Sequence, residues 1–388
     1  MTTKQRAWAW HRQGLDGSQL GAAAATVIAN TGWLRSVGGA NPYLSLFARA
    51  GLRREQVDAE VARLAVHELP VVRGCTYVVS AEDFSWALQL GREAAEVPVR
   101  VLTKLGVSRT EIDELLTAVV EQLQPGEKLD PQQLKQVLGA AVRSLGEEGK
   151  KKGASTTLPA ALGILQSEGR IRRVPLNGRL DQQRYAYQYW GLAQSGLSDQ
   201  QARSKIIAKY LHWTGGATIK QSQWFTAFTV AQIKTALLEL KAEESGGLWM
   251  LPGDRESYES FKVPDQQQIQ LLAGSDGLAL LRRNAPDLLA EQDRGKSLLG
   301  EKSLALVADL PDHPIVDRGQ IVGLWQYDPG RAEIVPWIFG QATTAIKQRI
   351  AQVQDYIRQD LTDFRSFSLD SPASRQKRID ALRAAQSG

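Results

Sequence analysis

The stretch TGWLRSVGGANPYLSLFAR, Thr31 to Arg49, taken with RGCTYVV at Arg73 to Val79, decides how this chain is read. Between its apolar runs lies Ser36-Val37-Gly38-Gly39-Ala40-Asn41, a tight interhelix loop in which Asn41 is placed to cap the next helix and Pro42 to occupy its first turn. Working outward, Gln5 to Gln13, Gly21 to Thr31, Pro42 to Ala50 and Arg53 to Ala65 are expected helices. Val71 to Val79, rich in Val, Tyr and Thr around a glycine, closes the group as a strand. Helices followed by a strand is the order of a winged helix.

The same order recurs twice. A helix from Arg109 to Gln124, stopped by Pro125-Gly126, is followed by one opening at Asp130-Pro131 and a third from Leu158 to Glu168. RIRRVPLNGRLDQQRYAYQYW then gives two basic strands about an Asn177-Gly178 hairpin turn, an arginine-edged ribbon. The third group has helices over Ala202 to Leu211, Thr218 to Phe225 and Thr229 to Lys241, with a strand over Gly246 to Leu251. Val230, Ile233, Leu237 and Leu240 fall on one face of its last helix, which the turn at Ala227-Phe228 makes a recognition-helix candidate. Gln232 and Lys234 on that helix read either as groove contacts or as plain solvation.

Past residue 265 the character changes. Leu304 to Val307, Pro314 to Asp317, Gln320 to Tyr327 and Ala332 to Phe339 read as strands, with turns at Arg318-Gly319 and Asp328-Pro329-Gly330. A helix then places Ile346, Ile350, Val353, Ile357, Leu361 and Phe364 on one face, and a polar tail that is expected to fray ends the chain. The expected class is α+β: winged helices over 1–100, 101–197 and 198–264, a small β-sheet or barrel over 265–345, and a C-terminal helix and tail over 346–388.

Composition narrows the function. Cys75 is the only cysteine and the four histidines are scattered, which excludes an intrachain disulfide and a structural zinc site. No apolar run is long enough to span a bilayer, and the N-terminus lacks a signal-peptide core, so a cytoplasmic protein is expected. Gly295-Lys296-Ser297 is no phosphate-binding loop, because the glycine needed five positions earlier is Ala290. From Arg143 to Arg184 there are nine Lys/Arg against four Asp/Glu, an excess equal to the +5 of the whole chain. Such a stripe fits a polyanion or, more plainly, a solvated face.

Thr31 to Arg49, together with RGCTYVVSAEDFSWAL (Arg73 to Leu88), resembles the opening of the AlkZ/YcaQ family of winged-helix DNA glycosylases, which act on alkylated and crosslinked bases. ARSKIIAKYLHWTGGATIKQSQWFTAFTVAQIKTAL (Ala202 to Leu237), LLAGSDGL (Leu271 to Leu278) and VDRGQIVGLW (Val316 to Trp325) resemble later parts of the family in the same order. The resemblance implies a basic DNA cradle and no metal or organic cofactor. At its centre, a Gln-apolar-Gln or Gln-apolar-Asp motif positions water against the sugar C1′.

At the two polar motif positions this chain carries Arg35 and Val37. Arginine accepts no proton and valine offers no polar group. Hydrolysis then requires Ser36, Asn41 or Asp276 to orient water, with Arg35 gripping a phosphate; Asp276 also reads as a turn or capping residue. The DNA-contact candidates are Arg49, Arg73, Lys150, Lys151, Lys152, Arg170, Arg172, Arg173, Arg179, Gln232 and Lys234. Arg73 has a second reading, as a buried partner of Glu82 or Asp83. The expectation is a monomeric DNA-repair glycosylase binding DNA, or a non-catalytic DNA sensor or regulator that kept the cradle.

Overall fold

A computed structural model describes residues 1–123 and 126–387. Reciprocal capping boxes open several of its helices. Ser108, Asp130, Ser198, Thr218 and Thr229 each accept from the backbone of the third helical residue, whose Glu or Gln side chain reaches back to the cap nitrogen.

The first group runs Thr3–Arg12, Ala24–Thr31, Asn41–Ala50 and Arg54–Ala62, then a hairpin of Val66–Pro70 and Thr76–Ser80. Leu34–Arg35 adds a third strand beside Thr76–Ser80. The expected helix through Ala65 therefore ends early. Val66–Pro70, an alternating Val-His-Glu-Leu segment, becomes a strand because its pairing with Thr76–Ser80 outweighs local helix preference. Between the strands Arg73 and Gly74 both take positive φ (59° and 68°), which makes the reversal tight.

The second group holds Arg92–Lys104, a helix absent from the sequence reading, then Arg109–Gln122, Pro131–Leu138 and Leu158–Ser167. Gln124 and the Pro125 stop lie outside the described residues. Its strands are Ile171–Pro175 and Tyr185–Tyr189, joined by 176–184, so Asn177-Gly178 turns within a longer loop and not as a two-residue hairpin. The third group has Asp199–Thr214, Ile219–Thr226 and Val230–Glu239, then the hairpin Glu243–Ser245 and Leu248–Met250 and a further helix, Pro252–Ser260. Ile233 and Leu237 are buried as expected, but Val230 is exposed.

The first and third groups share one hydrophobic core, and the second builds its own. The shared core centres on tryptophans: the Trp33 ring lies 5.4 Å from Trp86 and 5.5 Å from Trp213. Buried Asp83 accepts the indole N–H of both Trp33 and Trp86 at 3.0 Å and pairs with Lys209 at 2.9 Å, joining the two groups electrostatically.

The C-terminal region is an open antiparallel sheet, in the order Glu333–Ile338, Gln320–Asp328, His313–Asp317, Ile269–Leu271. No barrel closes, and Leu304–Leu306 is a 3₁₀ turn where a strand was expected. Thr344–Asp360 is the expected helix, though it stops before Leu361 and Phe364. The tail is not frayed. Pro372–Ser387 is helical and buries Ile379 and Leu382 against the sheet, while Arg378 pairs with Asp312 at 2.6 Å and Arg383 with Asp328 at 2.6 Å. Among the described residues no helix is long and apolar enough to cross a membrane, and no cluster of ligands suited to a metal ion occurs.

One buried network ties these parts together. Arg49 reaches both oxygens of Asp276, at 2.7 and 3.0 Å, and donates to Gln13 Oε1 at 2.8 Å. The Gln13 amide donates in turn to the carbonyls of Thr31 (2.6 Å) and Trp213 (2.8 Å). Burial pushes the Asp276 carboxyl pKa up, but the Arg49 charge and the hydrogen bonds from Arg49, Leu278 and Ser45 outweigh it and hold the group below the ordinary carboxylate value.

Asp276→Asn strands the Arg49 charge in the interior and is expected to cost about 3–5 kcal/mol in urea unfolding at pH 7. Because the folded pKa is depressed, the pair stabilises fully above the unfolded value of ~4 and loses its contribution as pH falls through the folded pKa. Unfolding curves between pH 7 and pH 2 should therefore show less acid sensitivity in Asp276→Asn than in the parent.

Candidate functional site

Leu34–Arg35 is held at the sheet edge by Thr76–Ser80, with Leu34 opposite Val78 and Arg35 opposite Tyr77. Side chains alternate across a strand, so Arg35 and Ser36 leave on opposite faces. Arg35 donates to the Thr76 carbonyl at 2.9 Å and lies over the Tyr77 ring at 5.5 Å. Ser36, 3% exposed, donates its hydroxyl to a carboxylate oxygen of Glu68. Glu68 stands opposite Val78 on the unanticipated strand Val66–Pro70, in the same cross-strand row as Leu34. It retains open surface, yet the protein around it is dense: burial raises its pKa, against the opposing pull of the Ser36 hydrogen bond and the Arg173 charge. Its neighbour His67 is sealed, and burial with the charges of Arg172 and Arg173 lowers its pKa to about 3, keeping it neutral.

The loop after Ser36 is clamped from two sides. The Ala40 N–H donates to the Arg365 carbonyl at 2.8 Å, and Ser368 N–H donates to the Val37 carbonyl at 3.0 Å. At Gly39 a Cβ would sit 2.3 Å from the Ser366 oxygen, and Gly38, with φ of +70°, faces Gln183 of the 176–184 loop. Asn41 does not cap its helix. The cap position is Ala40, and the Asn41 amide donates to the Arg35 carbonyl at 2.6 Å, while its oxygen accepts from Ser45. Asn41 and Asp276 are both buried with their polar atoms engaged, and Asp276 also caps the short helix Gly277–Leu280. Of the four catalytic candidates, Arg35 alone keeps part of its surface open.

The basic residues fall into separate places. Arg49 is fully buried against Asp276 and presents nothing to a phosphate in this structure. The arginine-edged ribbon does not stand free. Its 176–184 loop packs back on Asn41–Ala50, with Leu180 N–H donating to Tyr43 Oη at 2.9 Å, and Arg179 pairs with Asp181. Arg172 donates to Gln188 at 2.8 Å, and Arg173 stacks over Tyr185 at 4.5 Å while its charge acts on Glu68. Half-buried Arg170 and exposed Lys150 and Lys152 pair with Glu168, Glu147 and Glu148, and Lys151 and Lys234 are exposed.

Arg73 pairs with neither Glu82 nor Asp83, both of which hold Lys209. Its guanidinium lies 4.4 Å over the Trp224 ring, at the edge of a groove of about 550 Å³ that Arg73 shares with Arg92, Arg100, Arg203 and Gln232. The structure thus brings Arg73 and Gln232 together from distant parts of the chain. Arg92, Arg100 and Arg203 were missed by the sequence reading because they lie outside the Arg143 to Arg184 stripe and only the fold brings them together. Glu68 was missed because Val66–Pro70 falls between the expected helix, ending at Ala65, and the expected strand, starting at Val71, and was assigned to neither.

The model of the AlkZ-like DNA glycosylases, described as DNA glycosylase AlkZ-like, matches residues 5–356. The chain belongs to the AlkZ-like DNA glycosylase family. The family assigns it to DNA glycosylases of DNA repair. Among solved structures it is similar to Streptomyces sahachiroi DNA glycosylase AlkZ, with a TM-score of 0.69 and 19% identity over 91% of this chain and 96% of that one. At that identity the likeness speaks for the fold. No curated protein matches the chain. Within this AlkZ-like chain the helix Pro372–Ser387 lies beyond the family-matched residues, although the segment leading into it supplies the clamp on the motif loop.

Gly39→Ala is expected to push the Ser366 backbone away and to destabilise the chain by about 1–3 kcal/mol, the usual cost of overpacking. Hydrogen exchange should show faster exchange at Ala40 and Ser368, whose N–H groups make the clamp.

Proposed function

We propose that the chain seats DNA across three winged-helix units and hydrolyses the N-glycosidic bond of bulky or crosslinked alkylpurines, as a cytoplasmic monomer without a metal or organic cofactor. The observation that carries this reading is the arginine-lined groove between the first hairpin, the helix Arg92–Lys104 and the third helix group. Arg73, Arg92, Arg100 and Arg203 face Glu93 and Asp199 there, and none of the four arginines forms a salt bridge among the described residues. Guanidinium groups without carboxylate partners suit phosphate oxygens, which they grip in bidentate fashion. The groove arginines set register on the backbone and carry no base preference. The half-buried Gln232 lines the same groove.

The chemistry asked of the protein is modest. A cationic alkylated purine is already a good leaving group, so the protein must mainly place water and stabilise an oxocarbenium-like sugar. A second reading, a DNA-binding sensor or regulator without catalysis, is favoured by Arg35 and Val37, since the Arg35 guanidinium is engaged with the Thr76 carbonyl and Tyr77.

Base release from 7-methylguanine DNA and from a nitrogen-mustard crosslinked duplex, measured beside binding at several salt concentrations, separates the two. Released base supports the glycosylase; tight, salt-dependent binding with no release supports the sensor. Arg73→Ala and Arg203→Ala are each expected to weaken damaged and undamaged duplexes alike and to reduce the salt slope by about 1. Unchanged slopes in both variants would remove the groove from the DNA path.

A further inference from the structure

Glu68 is the carboxylate that Ser36, the middle residue of the motif positions, engages directly. It projects from the centre of a short strand that is buried on its other side by His67, which packs 6.2 Å from Phe84 and 5.5 Å from Trp190. The row that carries it runs Leu34, Val78, Glu68, so its oxygens lie within about two strand spacings, ~10 Å, of the motif backbone. Unlike Asn41 and Asp276 it is not sealed, and no salt-bridge partner holds it among the described residues.

We propose that Glu68 orients and deprotonates the attacking water, with Ser36 as the positioning residue that fixes its carboxylate and Arg173 beside it to hold a flanking phosphate. The inference rests on the glycosylase reading above. The water oxygen bonds to C1′ as the C1′–N9 bond breaks. The electron pair of that bond goes to N9 and cancels the positive charge of the alkylated base, and the water proton passes to the Glu68 carboxylate and then to solvent. The products are an abasic sugar with a C1′ hydroxyl and the neutral alkylpurine. A carboxylate serves both needs, because it accepts the proton and its charge stabilises the developing oxocarbenium. The surroundings that raise its proton affinity suit it to this role. Arg35 and Val37 are then compatible with activity, because the general base stands two strands across the sheet, beyond Thr76–Ser80.

Single-turnover release of 7-methylguanine, DNA affinity and thermal unfolding, measured on the full chain, test the assignment. Glu68→Gln, which preserves shape and an acceptor for Ser36, is expected to slow release roughly 100-fold or more while affinity stays within about twofold. Glu68→Asp should retain part of the rate, and Ser36→Ala should lose less than Glu68→Gln. An active parent with an equally active Glu68→Gln overturns the assignment and leaves the glycosylase reading intact. A parent that binds DNA but releases no base from either substrate overturns both. If Glu68→Gln and Glu68→Asp both lose folding or DNA affinity together with activity, the carboxylate is structural and the proposal falls.

Discussion

The buried contact between Arg49 and Asp276 is the constraint on which the remaining structure depends. It spans 227 residues of sequence, and both partners are buried. Through Gln13 it reaches the carbonyls that end the second helix and the first helix of the third group. Its partners therefore come from the N-terminal helix, the motif helix, the third group and the entry to the C-terminal sheet. An isolated interior charge is very costly, so any arrangement that separates these four elements is disfavoured by the same contact. The tryptophan cluster around Asp83 supplies the apolar counterpart, and the two together explain why the first and third groups fold around one core.

Around this fixed centre the motif loop is a junction and not a free catalytic loop. Backbone bonds from 365–368, the packed 176–184 loop and the Asn41 amide all converge on residues 35–41. Rigid support of this kind is what a site needs when geometry contributes most of the rate. It also leaves little room for the motif residues themselves, which is consistent with a partly open carboxylate two strands across the same sheet being the available group.

Much of this was legible in the chain. Capping residues and apolar spacing located most helices, because those signals act within one turn, and Arg318-Gly319 and Asp328-Pro329-Gly330 located the two turns that join the last three strands. What failed was tertiary in origin. Val66–Pro70 is short enough that only its partner strand makes it extended, and with it Glu68 was lost. Arg49 was read as a contact because sequence shows a charge but not the carboxylate that meets it from residue 276. The arginine-edged ribbon was taken as free because nothing local reveals that its loop has a surface to lie on. The tail was read as polar and loose, whereas Ile379, Leu382 and two arginines find partners on the sheet. The groove arginines were passed over since each stands alone in sequence, and the fold supplies their convergence.

The clamp from 365–368 also bears on the order in which the molecule is completed. Residues 35–41 are followed by their strand and hairpin partners within about forty positions, yet two of the backbone hydrogen bonds that hold the loop come from more than three hundred positions later. The N-terminal sheet has local partners enough to form during synthesis, but the loop beside it stays incompletely bonded until the last strands are paired and the chain behind them has crossed back over it. The motif loop is thus finished long after the sheet it adjoins.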